Sequence, residues 1–218
     1  MPRLPAQRTV TAAESTVNRA LNAPASAPHR AGVFGGTFDP PHLGHVSVAR
    51  DVADALQLDE VVWVPAFRSP LKPEAPETPP HVRLAMVGHA ADADSRFRVD
   101  DCEILREGPS YTVDTLREMR AGALVSADEI VLIMGVDQYA TIDRWREPDA
   151  IRQLATIAVM DRGGEAGPET PGVRRVPVAR VDISATAVRQ RAARGDSLDG
   201  WVLPAVADVI AREGLYGS

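Results

Sequence analysis

Gly35-Gly36-Thr37-Phe38-Asp39-Pro40-Pro41-His42-Leu43-Gly44-His45, GGTFDPPHLGH, places three glycines, two prolines and two histidines within eleven residues. A short apolar run, Gly32-Val33-Phe34, precedes it. After it, Val46, Ala49, Val52, Ala53 and Leu56 recur at helical spacing. The stretch is therefore the turn of a strand–turn–helix unit. Gly35 and Gly36 let a ligand approach backbone N–H groups, and Pro40 and Pro41 stiffen the turn. The helix starts near His42 or Leu43, where amide donors and partial positive charge suit a phosphate. His42 and His45, three apart, fall on one side of the first turn, and Gly44 leaves space between them. Three readings compete: a metal site, a plain turn with surface histidines, and a phosphate cradle. A zinc site needs more ligands, and no suitably spaced His, Cys and Glu set accompanies the pair. The G-x-G-x-x-G spacing of dinucleotide folds is absent. Phosphate binding fits the residue types best.

Outward from this turn the chain alternates between two periodicities. Strands are expected at residues 32–35, 60–65, 97–104, 129–134, 155–160 and 175–181. Helices are expected at 43–56, 81–91, 113–120, 185–194 and 204–213, with a helical stretch after Gly135-Val136-Asp137. Runs such as EIVLIM, residues 129–134, are apolar enough to be buried on both faces. Alternating strands and helices predict an α/β fold, a doubly wound parallel sheet with crossover helices. In such sheets ligands sit beyond the carboxyl ends of the strands. Residues 35–45, 135–137 and 182–184 all follow expected strands and line one crevice. The proline-crowded stretch 66–80 and the glycine-rich 163–172 read as loops. Residues 1–30, rich in Ala, Pro, Ser and Thr, read as a poorly ordered extension with a helical turn near residues 12–21, before a single domain over 31–218.

Composition narrows the function classes. The 218 residues are 44% hydrophobic and 25% charged, close to globular averages. A net charge of -6 argues against a protein that coats nucleic acid through a broad basic surface. An anionic ligand must then be met by a local cluster of donors. The single cysteine, Cys102, forms no internal disulfide and reads as an apolar filler. With no membrane-length apolar run and no secretory h-region, the expected location is cytoplasmic, with no membrane partner. Self-association as a homo-oligomer is left open.

The motifs carry a resemblance. GGTFDPPHLGH is similar to the T/H-x-G-H signature of the nucleotidyltransferase superfamily. SYTVDTL, residues 110–116, resembles the substrate-recognition segment of bacterial nicotinate mononucleotide adenylyltransferases. Gly135-Val136-Asp137 resembles their G-x-D motif, and Ile183-Ser184-Ala185-Thr186-Ala187-Val188-Arg189 their I-S-S-T-x-x-R helix start. All follow the family's order over about residues 31 to 217. Two departures stand out: Ala185 replaces the second serine, and the loop often written P-P-H-K is Ser69-Pro70-Leu71-Lys72.

The resemblance implies a Rossmann-like nucleotidyltransferase fold and the transfer of an adenylyl group from ATP to nicotinate mononucleotide, with Mg²⁺ accompanying ATP and no protein metal ligands. It implies that His42, His45 and Arg189 serve the reacting phosphates. Gly35, Gly36, Thr37, Phe38, Gly135, Asp137, Ser184 and Thr186 would bind ATP. Lys72, Tyr111, Thr112 and Trp145 would bind the nicotinate nucleotide. Asp137 has the alternative of capping its helix, Arg189 of joining a solvated face with Arg191 and Arg194, and Trp145 and Tyr111 of ordinary packing. Rival functions are a phosphopantetheine adenylyltransferase or cytidylyltransferase, an enzyme using nicotinamide mononucleotide, and a non-catalytic nucleotide-binding module.

Overall fold

A computed structural model describes residues 29–70, 78–122, 127–161 and 170–217. Residues 1–28 of the expected 1–30 extension, Lys72 and most of the 163–172 loop lie outside the described residues. Among the described residues six strands form one sheet: β1 (Arg30–Gly36), β2 (Glu60–Pro65), β3 (Phe97–Val99), β4 (Glu129–Gly135), β5 (Thr156–Asp161) and β6 (Val173–Pro177). Their order is β3-β2-β1-β4-β5-β6 and every neighbouring pair is parallel. This is the doubly wound order, whose topological switch lies between β1 and β4. β1 begins at Arg30, so the folded domain takes in His29 and Arg30, which the sequence reading assigned to the extension.

The helices are α1 (Leu43–Leu56), α2 (Pro80–Ala91), α3 (Cys102–Arg106), α4 (Thr112–Arg120), α5 (Val136–Tyr139), α6 (Pro148–Leu154), α7 (Ala185–Ala193) and α8 (Pro204–Arg212), with a 3₁₀ turn at Ile142–Arg144. Alternation along β1 explains the layering, because successive side chains point to opposite faces. Phe34 joins Trp63, Ile133 and the α1 residues Val46, Ala49 and Val52 on one face. Val33 joins Val62, Leu132 and Val113, Leu116 and Ile151 of α4 and α6 on the other. Gly32 lets the first face close, since a Cβ there would stand 2.7 Å from Leu58 Cδ1 and 2.9 Å from Ile133 Cδ1. A third cluster joins Val82 and Met86 of α2 to Val188 of α7 and Val206 and Val209 of α8.

Two expected strands change. β3 stops at Val99, and Cys102–Arg106 is a helical turn begun by Asp100, whose Oδ1 accepts from the Cys102 amide at 3.0 Å. β6 runs earlier than the expected 175–181, and residues 178–184 form no regular element. Cys102 is buried in the second cluster, and burial pushes its thiol far above the ordinary range, as suits a filler. Among the described residues no helix is long and apolar enough to cross a membrane.

Candidate functional site

The carboxyl end of β1 carries the site. α1 starts at Leu43 with His42 as its N-cap. The His42 amide donates to His45 Nδ1 at 3.2 Å, which puts the proton of a neutral His45 ring on Nε2. The two imidazoles stack, with centroids 3.7 Å apart and 28° between planes. His42 is 6% exposed and His45 is partly buried. Gly44 makes that stack fit. A Cβ on it would lie 3.0 Å from His42 Nδ1 and 3.1 Å from Cε1. The helix start offers fewer amides than an isolated one, because the Leu43 amide already donates to the Trp201 carbonyl at 2.9 Å.

The two glycines before the turn do different work. A Cβ at Gly35 would meet nothing within 4 Å, whereas one at Gly36 would meet the Phe38 ring at 2.9 Å. Phe38, at φ 50°, is 3% exposed, with its ring against Phe34 (5.5 Å), His45 (5.2 Å) and Trp63 (5.3 Å). Its ring is therefore part of the core.

α7 brings Arg189 to the same turn. Its Nη1 donates to the Asp39 carbonyl at 2.7 Å and its Nη2 to Thr186 Oγ1 at 3.4 Å. Ser184 caps α7, its Oγ accepting from the Ala187 amide at 3.2 Å. The solvated-face alternative for Arg189 is thus set aside by its contact with the loop. Gly135, not Asp137, is the N-cap of α5, and its amide donates to Gln138 Oε1 at 3.0 Å. Asp137 is exposed in that first turn.

On the other face of the sheet a cavity of about 320 Å³ opens against Gly35, Gly36 and Thr37. Tyr111, Thr112 and Trp145 line it, together with apolar β1 and β4 side chains such as Val33 and Leu132. The Trp145 indole nitrogen is buried with no acceptor among the described residues. Glu103, 7% exposed, forms part of the wall and accepts from Thr115 Oγ1 at 2.6 Å. Burial raises its carboxyl above the ordinary range, against the opposing hydrogen bonds from Thr115 and Ser110. Among the described residues no group of three or more His, Cys, Asp and Glu could hold a metal.

Several supporting residues carried no sequence signal. Arg83 is 0% exposed and donates to three backbone carbonyls: Thr37 at 2.7 Å, Phe67 at 3.0 Å and Thr78 at 3.1 Å. Burial lowers its pKa, and Asp39 opposes that shift. The Asp39 carboxylate accepts from Tyr216 Oη at 2.5 Å and from the Thr78 amide at 3.4 Å. Burial and Asp39 together hold the Tyr216 phenol well above its usual range. These contacts lock the turn from below, through α2 and the segment after α8.

Residues 33–191 match the model of a family described as cytidylyltransferase-like. The chain is 40% identical over 188 residues to a protein of Shouchella clausii named probable nicotinate-nucleotide adenylyltransferase, covering 86% of this chain and 97% of that one. It is 42% identical over 189 residues to a protein of the same name from Thermus thermophilus, covering 86% and 99%. Among solved structures it resembles Plasmodium falciparum nicotinic acid mononucleotide adenylyltransferase complexed with NaAD, with TM-score 0.70, 18% identity and coverage of 86% and 97%.

Proposed function

The chain belongs to the cytidylyltransferase-like family, and from that premise we propose that it is a nicotinate-nucleotide adenylyltransferase. It transfers the adenylyl group of ATP to nicotinate mononucleotide, giving nicotinate adenine dinucleotide and pyrophosphate, a step of NAD biosynthesis in the cytoplasm. One observation carries the reading. The Gly35–Thr37 backbone separates a ring-sized cavity on one face from the stacked histidines and Arg189 on the other. Such an arrangement gives each of two nucleotides its own subsite while their phosphates meet at the Gly35–Thr37 turn.

The 5′-phosphate oxygen of nicotinate mononucleotide attacks the α-phosphorus of ATP, and the bond to the pyrophosphate oxygen breaks. The attacking oxygen is already an anion, so no general base is required. Catalysis is alignment and charge neutralisation. His45, with its proton on Nε2, and His42 donate to the phosphates that gain charge. Arg189 holds the leaving pyrophosphate oxygens, and the backbone at Gly35, Gly36 and Thr37 lies against the reacting phosphates. Mg²⁺ would accompany ATP as part of the substrate and would add positive charge at the phosphates that His42, His45 and Arg189 serve. Asp137 takes the ribose hydroxyls and Gly135 lets the sugar approach. Ser184 and Thr186 shape the phosphate side of α7. Trp145 stacks on the pyridine ring, and Tyr111 and Thr112 supply donors to its carboxylate.

His45→Ala tests the phosphate role. Turnover should fall about a hundredfold, as when a donor to developing charge is removed, while the melting temperature stays within a few degrees. Near-normal turnover would remove His45 from the mechanism.

A further inference from the structure

The neutral donors of Tyr111 and Thr112 give a carboxylate hydrogen bonds but no countercharge. The 3₁₀ turn that carries Trp145 supplies one. Arg144 and Arg146 flank Trp145, both are exposed, and both line the cavity. The two guanidiniums are not equivalent. Arg146 lies over the Tyr111 ring at 4.7 Å, 3.6 Å from Asp114 and 3.8 Å from Glu147, so its charge is shared with two acids. The acids nearest Arg144 in sequence are engaged elsewhere. Asp143 pairs with Arg152 at 2.5 Å and Glu147 with Arg117 at 2.5 Å. Among the described residues no acid pairs with Arg144 itself. In a chain of net charge -6 this leaves, among the described residues, an exposed cation with no acidic partner in the wall of a cavity lined by apolar side chains and hydroxyls. Among the described residues the one carboxyl in the wall, Glu103, is buried with hydroxyl partners, so an incoming anion is disfavoured there and favoured beside Arg144.

We propose that Arg144 is the specificity-determining residue that binds the carboxylate of the acceptor's pyridine ring and thereby favours the acid over the amide. The inference rests on the adenylyltransferase reading above. Guanidinium and carboxylate match in geometry and charge, whereas an amide offers only its carbonyl. The acceptor has a second anion, its 5′-phosphate, and the two sources are separable. A carboxylate contact affects nicotinate mononucleotide alone, and a phosphate contact affects nicotinate and nicotinamide mononucleotides alike.

The experiment measures kcat/KM for both acceptors in wild type, Arg144→Gln, Arg144→Lys and the charge control Arg212→Gln on α8. In Arg144→Gln the preference for the acid should drop about tenfold, the scale of one hydrogen bond to a charged group. The loss should fall on nicotinate mononucleotide, with the amide unchanged. Arg144→Lys should recover part of the preference, Arg212→Gln should keep all of it, and melting curves should match. Equal losses on both acceptors would assign Arg144 to phosphate and overturn the proposal. No loss, or the same loss in Arg212→Gln, would overturn it too. A wild type with no preference for the acid would instead overturn the underlying reading, and the inference with it.

Discussion

Gly44 sets the distance between the two imidazoles more directly than any side chain does. Its hydrogen faces the His42 ring at a place where a methyl group would sit 3.0 Å from Nδ1. The neighbouring backbone cannot yield easily, because the Leu43 amide is bonded to Trp201. Gly44→Ala therefore separates stability from chemistry. Alanine is favoured over glycine in a helix by about 1 kcal/mol, which offsets the crowding in the folding balance. The displaced His42 ring should still lower kcat by about tenfold to a hundredfold, as small misplacements of aligned groups do. Steady-state kinetics beside a thermal melt check this, and unchanged kcat would contradict the assignment of the stacked pair. The two histidines and Gly44 were legible in the sequence as a unit. The burial of Phe38 was not, because its ring is held by Phe34 and Trp63, and the room for it comes from the missing Cβ of Gly36.

α2 reaches the site without touching it chemically. Its buried Arg83 gathers the carbonyls of Thr37, Phe67 and Thr78 into one fork, joining the turn after β1 to the segment after β2 and to its own approach. A guanidinium suits this role because its donors are fixed in a plane and it stays charged when buried. Arg83→Met fills similar space but leaves three carbonyls without their donor. It should cost about 3 kcal/mol or more of folding stability, since unpaired buried groups cost roughly 1–3 kcal/mol each. Chemical denaturation measures it, and a loss below about 1 kcal/mol would show that the fork is not structural. The sequence revealed α2 through its spacing but not Arg83, whose partners are backbone atoms that leave no signature. β3 was read too long for a related reason. The apolar residues Cys102 and Ile104 continue a strand-like run, and the turn is marked only by a local hydrogen bond from the Cys102 amide to Asp100 Oδ1.

At the scale of the whole molecule the sheet order, β3-β2-β1-β4-β5-β6, sets the motifs at 35–45 and 135–137 at the carboxyl ends of the neighbouring strands β1 and β4. That much was legible because buried parallel strands are continuous apolar runs and the crossover helices keep their own period. The division of labour across the sheet was not, since it depends on which face each loop descends. The histidine turn and α7 meet through Arg189 and the Asp39 carbonyl, and the cavity lined by Tyr111 and Trp145 lies on the opposite face. Reaction between the two faces is the central claim, and one assay addresses it: pyrophosphate release by the purified protein with ATP and Mg²⁺, given nicotinate mononucleotide, nicotinamide mononucleotide or no acceptor. The account predicts rapid release with the acid accompanied by an equal amount of nicotinate adenine dinucleotide, at least about tenfold slower release with the amide, and none without acceptor. Equal rates with acid and amide, or no turnover with either, would contradict it.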